Sequence, residues 1–232
     1  MGWGDGMCGR FFVEGESENE LLARMIDEAS RRQQAITGET TVATGEVFPA
    51  STVAAMALGR SGLIGVFPMK WGFRRPNGQG TVINTRSETA LEKPMFRQAM
   101  LDRRCLIPCS WYYEWETQDA QTHLFDAVPS LQIQPGTDTA ASKAKRPVKI
   151  KYAIRPQATG IMYLAGIYRY EESEHFPSLS ILTREPAREI AFIHDRMPVI
   201  FSESTRTAWL DRSVDPRSAL TQCETEMQYR IA

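Results

Sequence analysis

The sequence predicts an α+β fold built mainly on antiparallel strands, with helices packed outside. Two patterns predict it: one amphipathic helical stretch near the start, and after it a succession of short runs rich in Val, Ile, Phe and Gly, separated by turns. No internal repeat is present, and 232 residues with 42% apolar content suffice for one well-buried core without requiring a second domain.

Ser17-Glu18-Asn19-Glu20 has the spacing of a capping box, and Leu21, Leu22, Met25, Ile26 and Ala29 follow at helical period, so the first helix begins there. Residues 42–47, 53–57 and 63–67 read as short strands. Pro94 suits the first position of a helix over 95–101, because its fixed φ is helical and its missing N–H would have no partner there. Residues 105–107, 111–115, 149–154, 161–168 and 179–182 return to strand character. Pro186 opens a helical stretch through residue 193, and 205–210 suggests another short helix. Between them in kind stands 127–147, a tract of Ser, Thr, Gln, Gly, Ala, Lys and Pro that reads as a mobile surface loop.

Composition excludes several classes of function. No run of eighteen apolar residues occurs and the start lacks the zones of a secretory signal, so the expectation is an intracellular protein with no membrane span. Cys8, Cys105, Cys109 and Cys223 are too few and too irregularly spaced for a disulfide framework. Neither metal nor cofactor is expected, since Cys105 and Cys109 have no second pair and His123, His175 and His194 are isolated in sequence. A net charge of −1 gives no global attraction to phosphates, so any nucleic-acid binding must rest on a local basic patch.

The most informative stretch is Met7-Cys8-Gly9-Arg10-Phe11. Cleavage after Met7 leaves Cys8 with a free α-amine and a thiol on one residue, of reference pKa about 7.7–8.0 and about 8.5. The amine converts an aldehyde to an imine, and the thiol can close on the imine carbon to give a thiazolidine, which resists hydrolysis better than a simple Schiff base. Residues 1–7 are read as an extension to be removed before Cys8, with 8–232 as the domain. Further along, alternation over 111–116 puts Tyr112, Glu114 and Glu116 on one face of a strand and Trp111, Tyr113 and Trp115 on the other. Aromatic crowding would desolvate Glu114 and raise its pKa towards a range useful for proton transfer, although a solvated strand position is the commoner fate of a glutamate. Asn84 fits a turn and His194 a helix end as well as either fits a site.

Taken together, Met7-Cys8-Gly9-Arg10-Phe11, Trp71-Gly72, Asn84-Thr85-Arg86-Ser87-Glu88, the Arg104-Cys105-Leu106-Ile107-Pro108 lead into Trp111-Tyr112-Tyr113-Glu114-Trp115, and His194-Asp195-Arg196-Met197-Pro198 resemble the SRAP family of SOS-response-associated peptidases, or abasic-site processing proteins. The resemblance implies a barrel-like core of mainly antiparallel strands. It implies that Cys8 crosslinks to the ring-opened aldehyde of an abasic site in single-stranded DNA, with possible AP lyase and peptidase activity through the same site. Glu114 matches the family's acid/base, His194 a residue assisting sugar ring opening, and Asn84 one that positions the amine and sugar. Arg10 and Arg86 match phosphate-gripping positions, while Trp71, Pro49 and Trp115 are placed along the DNA path as packing or stacking surfaces. Lys70, Arg74, Arg75, Arg103 and Arg104 read either as an extension of a basic channel or as ordinary surface charges. The implied protein is a monomer whose partner is single-stranded DNA, nucleoid-associated if bacterial. Two alternatives stay open: a cysteine peptidase using Cys8, His194 and Glu114, and a non-enzymatic single-stranded DNA-binding module.

Overall fold

The computed structural model describes residues 8–15, 19–118, 147–158, 160–172 and 174–232. The chain enters as β1 (Arg10–Val13) and passes to α1 (Glu20–Thr37). Asn19 is the N-cap: its side-chain oxygen accepts from the Leu22 N–H, satisfying one of the amides that a first helical turn leaves without a partner. The predicted box therefore shifts, and Ser17 lies outside the described residues. Leu22, Met25 and Ala29 form the buried stripe of α1, and Gly38 ends it at φ 74°, a left-handed conformation in which glycine has no Cβ to clash.

Short strands follow, β2 (Gly45–Val47), β3 (Thr52–Leu58), β4 (Ile64–Trp71), β5 (Phe73–Arg74), β6 (Thr81–Val82) and β7 (Asn84–Arg86). Then come α2 (Pro94–Asp102), β8 (Arg104–Cys109), β9 (Trp111–Gln118), β10 (Val148–Pro156), β11 (Met162–Arg169) and β12 (Ser178–Arg184). The chain finishes with β13 (Met197–Pro198), β14 (Ile200–Phe201), α3 (Arg206–Leu210), α4 (Pro216–Leu220) and β15 (Met227–Ile231). Residues 119–146 are not described, so nearly all of the predicted 127–147 loop lies outside the described residues.

One sheet has the order β15-β10-β9-β1-β2 and is antiparallel throughout. In the other, of order β13-β12-β4-β3-β8-β11-β14, β12 also pairs with β11. The strands β12, β4, β3, β8 and β11 thus close a ring, which gives the barrel-like core. Two of its joins are short: β12 meets β4 at Ser178–Lys70 and Leu179–Trp71, and β3 meets β8 at Met56–Leu106 and Ala57–Cys105. Parallel pairing enters this sheet where β12 meets β4 and β7. Helix α1 lies against β4 and β3, outside the ring.

The helix predicted over 186–193 is reduced to a 3-10 turn at Arg188–Ile190. The reason is connectivity: β13 pairs antiparallel with β12, Arg184 opposite Met197, so residues 185–196 must reverse the chain direction and return it to the same sheet. Ile190 and Ile193 are buried as anchors of this return. All four cysteines are free, and no helix among the described residues is long and apolar enough to cross a membrane.

Candidate active site

The site lies at the seam between the two sheets, where residues distant in sequence are set opposite one another by strand register. Cys8 immediately precedes β1, which pairs with β9 through Arg10–Tyr113, Phe11–Tyr112 and Phe12–Trp111. That register carries the start of the chain to Glu114: the Cys8 main-chain nitrogen donates to Glu114 Oε1 over 2.5 Å. From the ring sheet, β7 pairs with β12 so that Asn84 stands opposite Ile181. Its side-chain amide donates to the Cys8 carbonyl oxygen over 3.3 Å. Cys8 is therefore gripped at both its nitrogen and its carbonyl.

The backbone of Cys8 is strained. Its φ of 34° is positive, a conformation that L side chains adopt at a cost of about 1–2 kcal/mol. The contacts to Glu114 and Asn84 hold it there.

Burial along β9 follows the predicted alternation only in part, since Tyr113 is enclosed as well and Glu116 is only partly covered. Tyr112 and Glu114 face inward and are almost wholly enclosed, at 1% and 5% exposure, whereas Trp111 and Trp115 on the opposite face are only partly covered. Burial raises the Glu114 carboxyl above the usual carboxylate range; the charge of His194 and the hydrogen bonds from Cys8 oppose the rise. Cys8 itself is only 4% exposed. Its thiol is pushed well up by burial, with the charge of Glu114 and a hydrogen bond to it adding, while Arg196 pulls the other way. Both shifts have one main cause, a charged form that burial leaves poorly solvated.

The ionised form of Glu114 would be favoured by a positive charge on His194. Its Nδ1 lies 3.1 Å from the Arg196 N–H and 2.8 Å from Asp195 Oδ1, so its lone pair serves the first or a proton serves the second. Arg196, buried within the same motif, forks onto both carboxylate oxygens of Glu88 at 2.8 Å and also donates to the Thr183 carbonyl. This pair, unassigned from the sequence, ties the Asn84 segment to the His194 segment. The signal was an arginine in one motif and a glutamate in another, and opposite charge alone cannot show that they meet.

The proposed DNA contacts fall into two groups. Arg10 pairs with Glu46 at 3.0 Å and lies over the rings of Phe48 (4.4 Å) and Trp115 (5.1 Å). Lys151, not singled out from the sequence, joins this outer cluster through Glu46 and the face of Tyr113. Pro49 is half-buried beside the exposed Phe48, and Arg86 is exposed at the end of β7. Trp71 is different: it is fully enclosed, packs against Phe11 and donates its ring N–H to the Ile83 carbonyl. That enclosure corrects its placement on a DNA path, because β4 turns the ring inward to fill the core. Arg104 is corrected likewise. It is buried and donates to the Asp211 and Val214 carbonyls, while Lys70 is paired with Glu174. Among the described residues no three His, Cys, Asp or Glu side chains gather as a metal ion would require.

The fold is thus a ring-closed α+β domain in which a cysteine is held by its own backbone beside a buried carboxyl. The chain belongs to the SOS response associated peptidase (SRAP) family, whose pattern matches residues 7–231. It is 27% identical over 226 residues to the abasic site processing protein YoqW of Bacillus subtilis (strain 168), covering 90% of this chain and 83% of that protein. Over 163 residues it is 28% identical to the abasic site processing protein HMCES of Rattus norvegicus, covering 63% of this chain and 45% of that one. A crystal structure of a protein from Bacteroides thetaiotaomicron superposes with a TM-score of 0.67 at 17% identity, covering 97% of this chain and 91% of the other.

Proposed function

We propose that this protein processes abasic sites in single-stranded DNA by forming a covalent thiazolidine at Cys8, once the residues before it have been removed. The observation that carries the reading is the 2.5 Å contact from the Cys8 nitrogen to Glu114 Oε1, with Asn84 on the Cys8 carbonyl. The atom that becomes the nucleophilic amine already rests on a carboxyl tuned upward by burial. Names of the relatives support the substrate.

In this reading the Cys8 amine, relieved of a proton by the Glu114 carboxylate, adds to the C1′ aldehyde of the ring-opened sugar. Glu114 returns that proton to the carbinolamine hydroxyl, which leaves as water, and the C=N bond forms. The Cys8 thiol then gives its proton to Glu114 as sulfur bonds to C1′. The C=N π pair moves to nitrogen, which takes that proton from Glu114. One water is lost overall and one ring is made. His194 assists sugar ring opening, and Asn84 fixes the amine by holding the adjacent carbonyl. Arg86 and Arg10 grip flanking phosphates, with Trp115 and Pro49 beside the strand. The imine also gives a route to AP lyase chemistry.

The alternative of a general cysteine peptidase has less support. Catalytic thiols are activated by a lowered pKa, and here burial and Glu114 drive the Cys8 thiol upward. Peptidase activity is confined in this proposal to release of the segment ahead of Cys8.

The test uses the chain beginning at Cys8, verified by intact mass, with a single-stranded oligonucleotide carrying one abasic site. A slow-migrating adduct on denaturing electrophoresis, absent with Cys8→Ala and with undamaged DNA, is expected. No adduct from the verified chain rejects the reading.

A further inference from the structure

We infer that the Tyr112 hydroxyl donates a hydrogen bond to the Cys8 sulfur as that sulfur gives up its proton and closes the ring. The inference rests on the thiazolidine reading above and adds to it a donor for the second nucleophile. The geometry comes from β9. Tyr112 and Glu114 are two residues apart on the same inward face, and Tyr112 stands opposite Phe11, three residues after Cys8. The Tyr112 side chain is almost completely enclosed, yet its hydroxyl has no hydrogen-bond partner among the described residues.

A buried hydroxyl without a partner costs about 1–3 kcal/mol, so its retention calls for a partner that arrives in another state. Cys8 and Glu114 are the groups whose charges act on this phenol. Glu114 is engaged with the Cys8 nitrogen, whereas a thiolate formed in so enclosed a place needs a neutral donor to be tolerated. Burial, with Cys8 and Glu114 adding, raises Tyr112 well above its ordinary range, which keeps it an O–H donor.

In the closing step the S–H bond breaks with its proton passing to Glu114, the Tyr112 O–H shares its hydrogen with the sulfur, the S–C1′ bond forms, and the π pair of the imine moves to nitrogen, which takes the proton from Glu114. Tyr112 keeps its own proton throughout.

The test separates the two stages on the chain beginning at Cys8. Imine is measured as adduct trapped by borohydride at early times, and ring as adduct that survives heat without reductant. Tyr112→Phe is expected to form imine at the wild-type rate and ring roughly 10-fold more slowly, a size typical of a lost charge-assisted hydrogen bond. Its thermal midpoint should equal or exceed that of the wild type, since only a partnerless hydroxyl is removed. In the Cys8→Ser background, where no sulfur attacks, Tyr112→Phe should change nothing. Equal ring formation by Tyr112→Phe and wild type overturns the inference, as does a matching loss of imine, which would place the residue on the amine. Wild-type protein giving neither imine nor ring overturns the underlying reading instead.

Discussion

The main-chain nitrogen of Cys8 and Oε1 of Glu114 lie 2.5 Å apart although 106 positions separate the residues. Register makes this contact. With Arg10 opposite Tyr113 and Phe11 opposite Tyr112, the start of the chain runs past Glu114 on the inner side of β9. A slip of one residue would turn Glu114 to the outer face, among Trp111, Tyr113 and Trp115, and dissolve the site.

Glu114→Gln should abolish proton transfer while keeping an acceptor for the Cys8 nitrogen, slowing the crosslink about 10²–10⁴-fold in single-turnover assays. The same variant has a stability signature. Because burial raises the folded-state pKa of Glu114, the folded protein holds a proton that the unfolded chain releases near pH ~4.3. Below that value both states are protonated and Glu114 carries no penalty. As pH rises towards the folded pKa the wild type loses stability, and Glu114→Gln does not. Denaturant unfolding should therefore show the variant gaining on the wild type from pH 4 upward; parallel profiles would reject a raised Glu114.

The Arg196 fork on Glu88 links two segments of the site. Glu88→Ala leaves the buried guanidinium with the Thr183 carbonyl, and because Glu88 is itself half-exposed the expected loss is modest, about 1–2 kcal/mol. For a chain of this size that lowers the thermal midpoint by roughly 5 °C. Arg196→Lys, which keeps the charge and loses the fork, should cost a similar amount. An unchanged midpoint in both variants would show that the fork does not hold the segments.

Arg86 and Arg10 should differ as DNA contacts. Arg86 is exposed at the end of β7, while Arg10 is engaged with Glu46. Arg86→Ala is expected to flatten the slope of log affinity against log salt by about 0.7 for single-stranded DNA, with a smaller change for Arg10→Ala. Fluorescence anisotropy across a salt series measures both, and the reverse order would refute the assignment.

Ring closure requires a glycine at position 166. A Cβ there would lie 2.9 Å from Cys105 Sγ, 3.0 Å from Ile107 Cδ1 and 3.3 Å from the Ser180 carbonyl oxygen, contacts between neighbouring strands of the ring. Gly166→Ala should destabilise by about 1–3 kcal/mol in chemical denaturation. A neutral effect would mean the ring is looser than its contacts imply.

The α+β class, α1, α2 and most ring strands were legible because their signals are local: helical period after residue 19, proline at the start of α2, and short Val- and Ile-rich runs between turns. Local signals also misled. Pro186 opens a helical pattern, but the pairing of β13 with β12 overrides it and leaves a single 3-10 turn. No local signal marks β7 as a strand, because its partner, β12, lies far along the chain and pairs in parallel.

The same division runs through the site. The sequence by itself determined the chemistry on offer, a thiol on Cys8 with an amine only once the residues before it are removed, a carboxyl on Glu114 and a carboxamide on Asn84, together with the alternation that turns Tyr112 and Glu114 to one face. Only the tertiary structure decided that these groups meet, that Trp71 and Arg104 are buried away from solvent, that Arg196 clasps Glu88, and that the enclosed Tyr112 hydroxyl has no hydrogen-bond partner among the described residues. The physical reason is that residue type and spacing fix what a side chain can do and which way it points, whereas burial and long-range contact depend on which strands lie alongside one another, and that is settled by the packing of the whole chain.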